Sequence, residues 1–212
     1  MFENIIWDFD GTLFDTYPAM IYAFKMALGD NGVEVSEEEI IKYMKVSVTN
    51  AINHFKEIYS LSDEFIEGFL YYEKNIEADK VKPFLFAKEI CIDFKKNGGR
   101  NFILTHRGNS TLKFLKYYGM LDCFDEIVTK HNCFKRKPDP EGFDYLIKKY
   151  NMSNDRVLAV GDRECDVLAG KKSNIKICLY NTNIIELNEK CDYTIESLSE
   201  LREIIFRKDM II

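Results

Sequence analysis

In the stretch "NIIWDFDGTLFD", residues 4–15, three apolar residues, Ile5, Ile6 and Trp7, run straight into Asp8. A second carboxylate, Asp10, follows after one Phe. A carboxylate on a buried strand is costly unless a cation, a donor or a reaction compensates it, and two such groups close together repel. If the strand persists, side chains alternate and both carboxylates face the same way. Three other short stretches place polar groups directly after apolar runs. "ILTHRG" sets Thr105 and His106 just past Leu104, and "HNCFKRKPDP" carries Lys135, Arg136 and Lys137. "LAVGD" ends in Gly161-Asp162, with Asp166 four residues on.

Each set suggests a chemistry beside a plainer reading. Asp8, Asp10 and Asp162 offer oxygen donors only, which suits a hard divalent cation such as Mg²⁺, and no His or Cys stands where zinc would want it. Asp162 and Asp166, four apart at a helix start, share a face and sit where the helix dipole favours negative charge. Asp166 alone would serve as a helix-terminal carboxylate. The Thr105 hydroxyl and the N–H groups after it suit phosphoryl oxygens, although a lone Thr at a turn means little. Lys137 taken singly would be a solvated loop cation. Position at strand ends, in one crevice, favours the functional readings.

That crevice requires a parallel sheet. Residues 4–9 read as a short buried strand. From about Tyr17 to Asp79 the pattern is helical throughout: Ala19-Met20, Ala23-Phe24 and Ala27-Leu28 make one apolar stripe, which Gly29 and Asn31-Gly32 stop. "SEEEIIKYM" starts with Ser36 as N-cap and Glu39 at the third helical position, a capping-box pattern. Two more helices are expected near Val48–Tyr59 and from Ser62 to Glu77. Alternation resumes near Val81: a helix after Pro83, then "RNFILTH" (strand), "NSTLKFLKYYG" (helix), "DEIVTK" (strand), "PEGFDYLIKKY" (helix), "DRVLAVGD" (strand), "ECDVLAGKKS" (helix) and "IKICLYN" (strand), with "SLSELREII" as a closing helix. Apolar strands separated by amphipathic helices predict an α/β fold with a doubly wound, Rossmann-like parallel sheet. The all-helical segment is then a cap inserted into it, with residues 1–14 and 81–212 forming the core and 15–80 the cap. Ligands of such sheets lie beyond the carboxyl ends of the strands.

Composition narrows the partners. The 212 residues are 46% hydrophobic and 30% charged, enough for a sizeable core. A net charge of −6 argues against nucleic acid as the main partner. No apolar run approaches the roughly 18–20 residues of a membrane span, and no basic segment precedes an early apolar run as in a signal peptide. Cys91, Cys123, Cys133, Cys165, Cys178 and Cys191 are scattered without a CxxC pair, which reads as free thiols and a cytoplasmic location.

With those four stretches laid out, the chain resembles the haloacid dehalogenase-like hydrolase superfamily over nearly its whole length. The family pattern DxDGT matches "DFDGT", Asp8 to Thr12; the apolar strand ending in Thr or Ser matches "FILTH" at Thr105; Lys followed by Pro matches Lys137; and GDxxxD matches "GDRECD", Gly161 to Asp166. The helical insertion resembles the small α-helical cap of the subfamily with phosphoglycolate phosphatases and β-phosphoglucomutases. The resemblance implies Asp8 as nucleophile, forming an aspartyl-phosphate, and Asp10 as general acid and then base. It implies Mg²⁺ held by Asp8, the Asp10 carbonyl and Asp162, with Asp166 supporting the metal shell or orienting Lys137. Thr105, the His106 N–H and Lys137 would bind phosphoryl oxygens, and Gly11 would turn the chain outward.

Relatives that cleave carbon–halogen bonds lack an acid at the position of Asp10, so its presence implies phosphoryl transfer. The second motif commonly continues with Asn; here it is His106-Arg107, and Arg107 is a candidate second anion contact or a salt-bridge residue. Mutase relatives carry a His where Met20 stands, and a Gly and an Arg where "MKVSVTN" offers Lys45, Val46 and Thr49. Lys45 could reach a substrate; Lys42 and Lys45 otherwise read as solvated. The expected activity is Mg²⁺-dependent hydrolysis of a small phosphorylated metabolite, phosphoglycolate phosphatase-like, by a monomer or dimer. A β-phosphoglucomutase-like phosphosugar mutase and a non-catalytic binding protein are the alternatives.

Overall fold

A computed structural model describes residues 1–180 and 190–206. By contact density the chain divides into two compact units, Asp15–Lys82 and the remainder.

The larger unit is built on a six-stranded parallel sheet. Its strands are β1 (Asn4–Trp7), β4 (Arg100–Leu104), β5 (Phe124–Val128), β6 (Val157–Gly161), β7 (Lys176–Tyr180) and β8 (Tyr193–Ile195), in spatial order β5-β4-β1-β6-β7-β8. The first strand in sequence thus sits inside the sheet, and the order reverses around it, the arrangement that opens a ligand crevice. Register sharpens the point. Trp7 lies beside Ile103 of β4 and Val160 of β6, so the residues after each strand emerge in one row. Ile5, Ile6, Trp7, Phe102, Ile103, Leu158 and Ala159 are buried, as strands covered on both faces require. One buried polar residue, Asn101, is fully used: it accepts from Trp7 Nε1 at 3.0 Å and donates to the Cys91 and Cys123 carbonyls. Helices α5 (Ala87–Lys96), α6 (Ser110–Tyr117), α7 (Glu141–Lys149), α8 (Glu164–Lys172) and α9 (Leu201–Ile205) complete this unit.

The smaller unit holds α1 (Tyr17–Asp30), α2 (Glu37–Val46), α3 (Val48–Tyr59) and α4 (Asp63–Asn75). The apolar stripe of α1 is buried, and Phe24 meets Phe55, Phe65 and Phe69 edge-on at 5.1–5.4 Å between centroids. Such pairs add to simple burial because ring edges and faces carry opposite partial charge. Three serines start three helices: Ser36 accepts from the Glu39 N–H, Ser47 from Asn50 and Ser62 from Glu64. Two short strands, β2 (Phe14–Asp15) and β3 (Lys82–Pro83), pair where the chain passes between the units.

The sheet and helical insertion match the expected fold class. β2, β3 and β8 fell below the length at which alternation is visible in sequence, and α4 ends at Asn75, before a 3₁₀ turn at Ala78–Lys80. The closing segment is a 3₁₀ turn, Leu198–Glu200, running into α9. β7 reaches Tyr180; Asn181, expected to continue it, lies outside the described residues.

Candidate active site

The sheet sets the site by ending three adjacent strands together. β1 stops at Trp7, and Asp8 follows it, its N–H still donating to the Val160 carbonyl at 2.8 Å. The chain then turns: the Phe9 carbonyl accepts from Thr12, Leu13 and Phe14 at 3.0–3.4 Å. Gly11 takes φ +79°, a left-handed conformation that any side chain would strain. The strand therefore does not persist through Asp10, and the two carboxylates reach different surroundings.

Asp8 lies in a buried nest of charge. Lys137 Nζ is 2.7 Å from Asp8 Oδ1, 2.5 Å from Asp166 Oδ1 and 3.0 Å from the Leu104 carbonyl, and all three side chains are 3% exposed or less. Arg163 joins from the other side, with Nη2 3.4 Å from Asp8 Oδ2 and Nε 3.9 Å from both Asp162 and Asp166. Thr12 donates its hydroxyl to Asp162 at 3.3 Å, and the Arg163 N–H donates to Asp166 Oδ2 at 3.2 Å. A Cβ on Gly161 would stand 2.5 Å from that of Asp166, so glycine is what admits Asp166 under the strand end.

Burial would raise the Asp8 carboxyl, but the Lys137 and Arg163 cations outweigh it and hold it below the ordinary aspartate value. For Asp166 burial wins: Lys137 offsets it only in part, the Asp8 charge adds to it, and the carboxyl is raised. Burial would likewise lower Lys137, yet Asp166 and Asp8 together raise it, so the ammonium stays charged.

Asp8, Asp162 and Asp166 each offer a carboxylate oxygen within 4.8 Å of the others. Three carboxylates face two cations, Lys137 and Arg163, so the ionised nest is net negative and gains from a further positive charge. A donor set of carboxylate oxygens, at this spacing, fits a divalent metal ion.

Asp10 lies apart from that nest: its Oδ1 accepts from Arg107 Nε at 2.7 Å. Arg107 follows β4, and its N–H donates to Thr105 Oγ1 at 3.1 Å. That bond takes a lone pair and leaves the Thr105 O–H hydrogen able to donate to an anion. His106 Nε2 accepts the Lys137 N–H at 2.9 Å, tying the loop of Lys137 to the end of β4. Burial first, then the Lys137 and Arg136 cations, push His106 down to about 3, so the ring is neutral with its proton on Nδ1.

Asp8, Asp10, Gly11, Thr105, His106, Arg107, Lys137, Asp162 and Asp166 thus all belong to one sheet edge of one unit. Lys45 belongs to the other: it lies in the last turn of α2, with Nζ 5.8 Å from the Tyr17 ring centroid. Sequence reasoning passed over Arg163, although a cation directly after a strand-end Asp was visible in "GDRECD".

Residues 5–180 match the model of the family described as haloacid dehalogenase-like hydrolase. The chain belongs to that family. Among its relatives, a pyrophosphatase PpaX of Oceanobacillus iheyensis is 23% identical over 96% of both chains. A phosphoglycolate phosphatase of Vibrio parahaemolyticus is 23% identical over 95% of both. A solved haloacid dehalogenase-like family hydrolase from Streptococcus pneumoniae is 18% identical, covers 97% of this chain and 99% of that one, and superposes with a TM-score of 0.80, a likeness of fold. No helix among the described residues of this hydrolase is long and apolar enough to cross a membrane.

Proposed function

We propose that this hydrolase is a Mg²⁺-dependent phosphatase that cleaves a small phosphomonoester through an aspartyl-phosphate on Asp8. The observation that carries the reading is the Asp8 nest: a carboxylate kept ionised at a strand end, beside two cations and two further carboxylates. An ionised carboxylate is the form that can attack phosphorus. Relatives named for pyrophosphate and phosphoglycolate support a phosphorylated small molecule as substrate.

Asp8 and Asp162, with the Asp10 carbonyl, would hold Mg²⁺, and Asp166 would support that shell and orient Lys137. When bound, the ion would neutralise phosphate charge and relieve repulsion among the carboxylates. Asp8 attacks phosphorus while Asp10 gives a proton to the leaving oxygen. Asp10 then takes a proton from the water that hydrolyses the aspartyl-phosphate. The Thr105 hydroxyl and the His106 N–H donate to the phosphoryl oxygens, and the Lys137 charge, 2.7 Å from Asp8, favours their negative charge in the transition state. The His106 ring acts at one remove, by holding the Lys137 backbone.

The test is Pi release from p-nitrophenyl phosphate, then kcat/KM over a panel including phosphoglycolate, glyceraldehyde 3-phosphate, inorganic pyrophosphate and glucose 1-phosphate. The expected result is metal-dependent turnover that EDTA stops, with one small phosphate ester preferred. Turnover that persists after full metal removal, or conversion of glucose 1-phosphate to the 6-phosphate without Pi, would refute it.

A further inference from the structure

Asp10 must meet the leaving oxygen in one orientation and the hydrolytic water in the same place, and a carboxylate on a loop is free to rotate unless something holds it. The loop after β4 supplies the holder. Arg107 is 4% exposed at its side chain and donates from Nε to Asp10 Oδ1 at 2.7 Å. The guanidinium is itself held: Nη1 donates to Ser110 Oγ at 3.1 Å, and Cζ lies 5.7 Å from the centroid of the Phe114 ring, in cation–π range. Its backbone is pinned as well, the N–H to Thr105 Oγ1 at 3.1 Å and the carbonyl accepting from the Lys130 N–H at 3.1 Å. A planar fork with separate bonds from Nε and Nη1 cannot turn without breaking one of them. Ser110 and Phe114 stand one turn apart on α6, so a helix, not a loop, sets the direction of the fork.

We propose that Arg107 is a positioning residue that orients the Asp10 carboxylate for proton transfer, and so couples the Thr105 strand end to the Asp10 turn. The proposal rests on Asp10 being the proton donor and acceptor. It assigns Arg107 to a partner inside the protein in place of a contact with substrate. Because proton transfer matters most when the leaving oxygen is basic, an Arg107 defect is graded by leaving group, whereas loss of a substrate contact is not.

The experiment measures kcat and KM with Mg²⁺ for the wild type, Arg107→Ala, Arg107→Lys, Asp10→Asn and the double variant Asp10→Asn/Arg107→Ala. Substrates run from p-nitrophenyl phosphate through less acidic phenyl phosphates to an alkyl phosphate, with the Tm of each protein recorded. Arg107→Ala is expected to lower kcat by about 3-fold for p-nitrophenyl phosphate and by about 100-fold for the alkyl ester, the scale of a misplaced catalytic group, with KM little changed. The double variant should be no slower than Asp10→Asn, and Arg107→Lys should recover part of the loss, since it returns the charge without the fork. A rise in KM equal for every substrate and multiplying with Asp10→Asn would make Arg107 a substrate contact and overturn the proposal. A loss equal across leaving groups and tracking a lowered Tm would overturn it in favour of a structural ion pair. Should Asp10→Asn itself show no grading by leaving group, the role of Asp10 falls; grading there but not in Arg107→Ala removes only the role of Arg107.

Discussion

Asp8 and Asp10 differ by two positions in the chain and by a great deal in their surroundings. Asp8 is enclosed, with a lysine, an arginine and two carboxylates around it, and its charge is settled by neighbours that leave it no conformational choice. Asp10 is 19% exposed and is met by one arginine, itself braced on a helix. A nucleophile, the role proposed for Asp8, gains from a fixed geometry and a fixed charge; the role proposed for Asp10 makes other demands. A group that must give and then take a proton needs an open side and a neighbour that orients it without enclosing it. The turn at Gly11 separates the two carboxylates into these two environments.

The sharpest break in that comparison comes from the same substitution at both sites. Asp8→Asn is expected to lower kcat by about four orders of magnitude or more and to abolish acid-stable labelling by a phosphorylated substrate, because a nucleophile has no substitute. Asp10→Asn is expected to cost about 10²–10⁴-fold, and to slow both formation and hydrolysis of the phospho-enzyme. Rapid-quench kinetics separates the two steps; equal losses would dissolve the distinction.

Next in size is Lys137→Ala. Removing the ammonium leaves the buried Asp8 and Asp166 carboxylates with Arg163 alone to offset them, and metal-free urea unfolding should show a loss of about 3–5 kcal/mol. At Asp10 the substitution keeps an acceptor oxygen for Arg107 on a side chain that is 19% exposed, so Asp10→Asn is expected to unfold within about 1 kcal/mol of wild type.

Metal binding should stabilise the nest alone. At Mg²⁺ one hundred times its Kd the gain is about 2.7 kcal/mol, read as a rise in Tm. Asp162→Asn should abolish that rise, whereas Arg107→Ala should keep it.

The smallest effect is a pH dependence from His106, whose ring is partly buried and feels the charges of Lys137, Arg136, Asp8 and Arg163. Its value in the folded protein, about 3, lies below the unfolded histidine value of 6.5. The unfolded chain therefore binds the extra proton between those values, and the contribution is present above pH 6.5 and lost as the pH falls. From pH 7 to 5 this removes about 2 kcal/mol of stability, and His106→Asn should show a correspondingly flatter acid limb in urea titrations.

Much of this was legible in the chain. Short-range chemistry determines the helical insertion, with its serine caps and the apolar stripe of α1, and the succession of buried strands that each end in a polar residue. It likewise determines which residues stand at those ends, because Asp8, Thr105 and Asp162 directly follow apolar runs. Periodicity did not reveal β8, three residues long, or where β1 stops, since the Asp8–Asp10 alternation matches a continuing strand as well as a turn.

What only the tertiary structure decided is which of those ends are neighbours and what each charge meets. Strand order and register put 8, 105 and 162 in one row across residues far apart in sequence. The carboxylates that gather are Asp8, Asp162 and Asp166, while Asp10 turns to Arg107, and Arg163 enters a nest that its place in "GDRECD" only hinted at. The physical reason is that side-chain direction depends on a few backbone angles, such as the +79° at Gly11, and that a buried charge takes whichever partner the packed strands bring within reach.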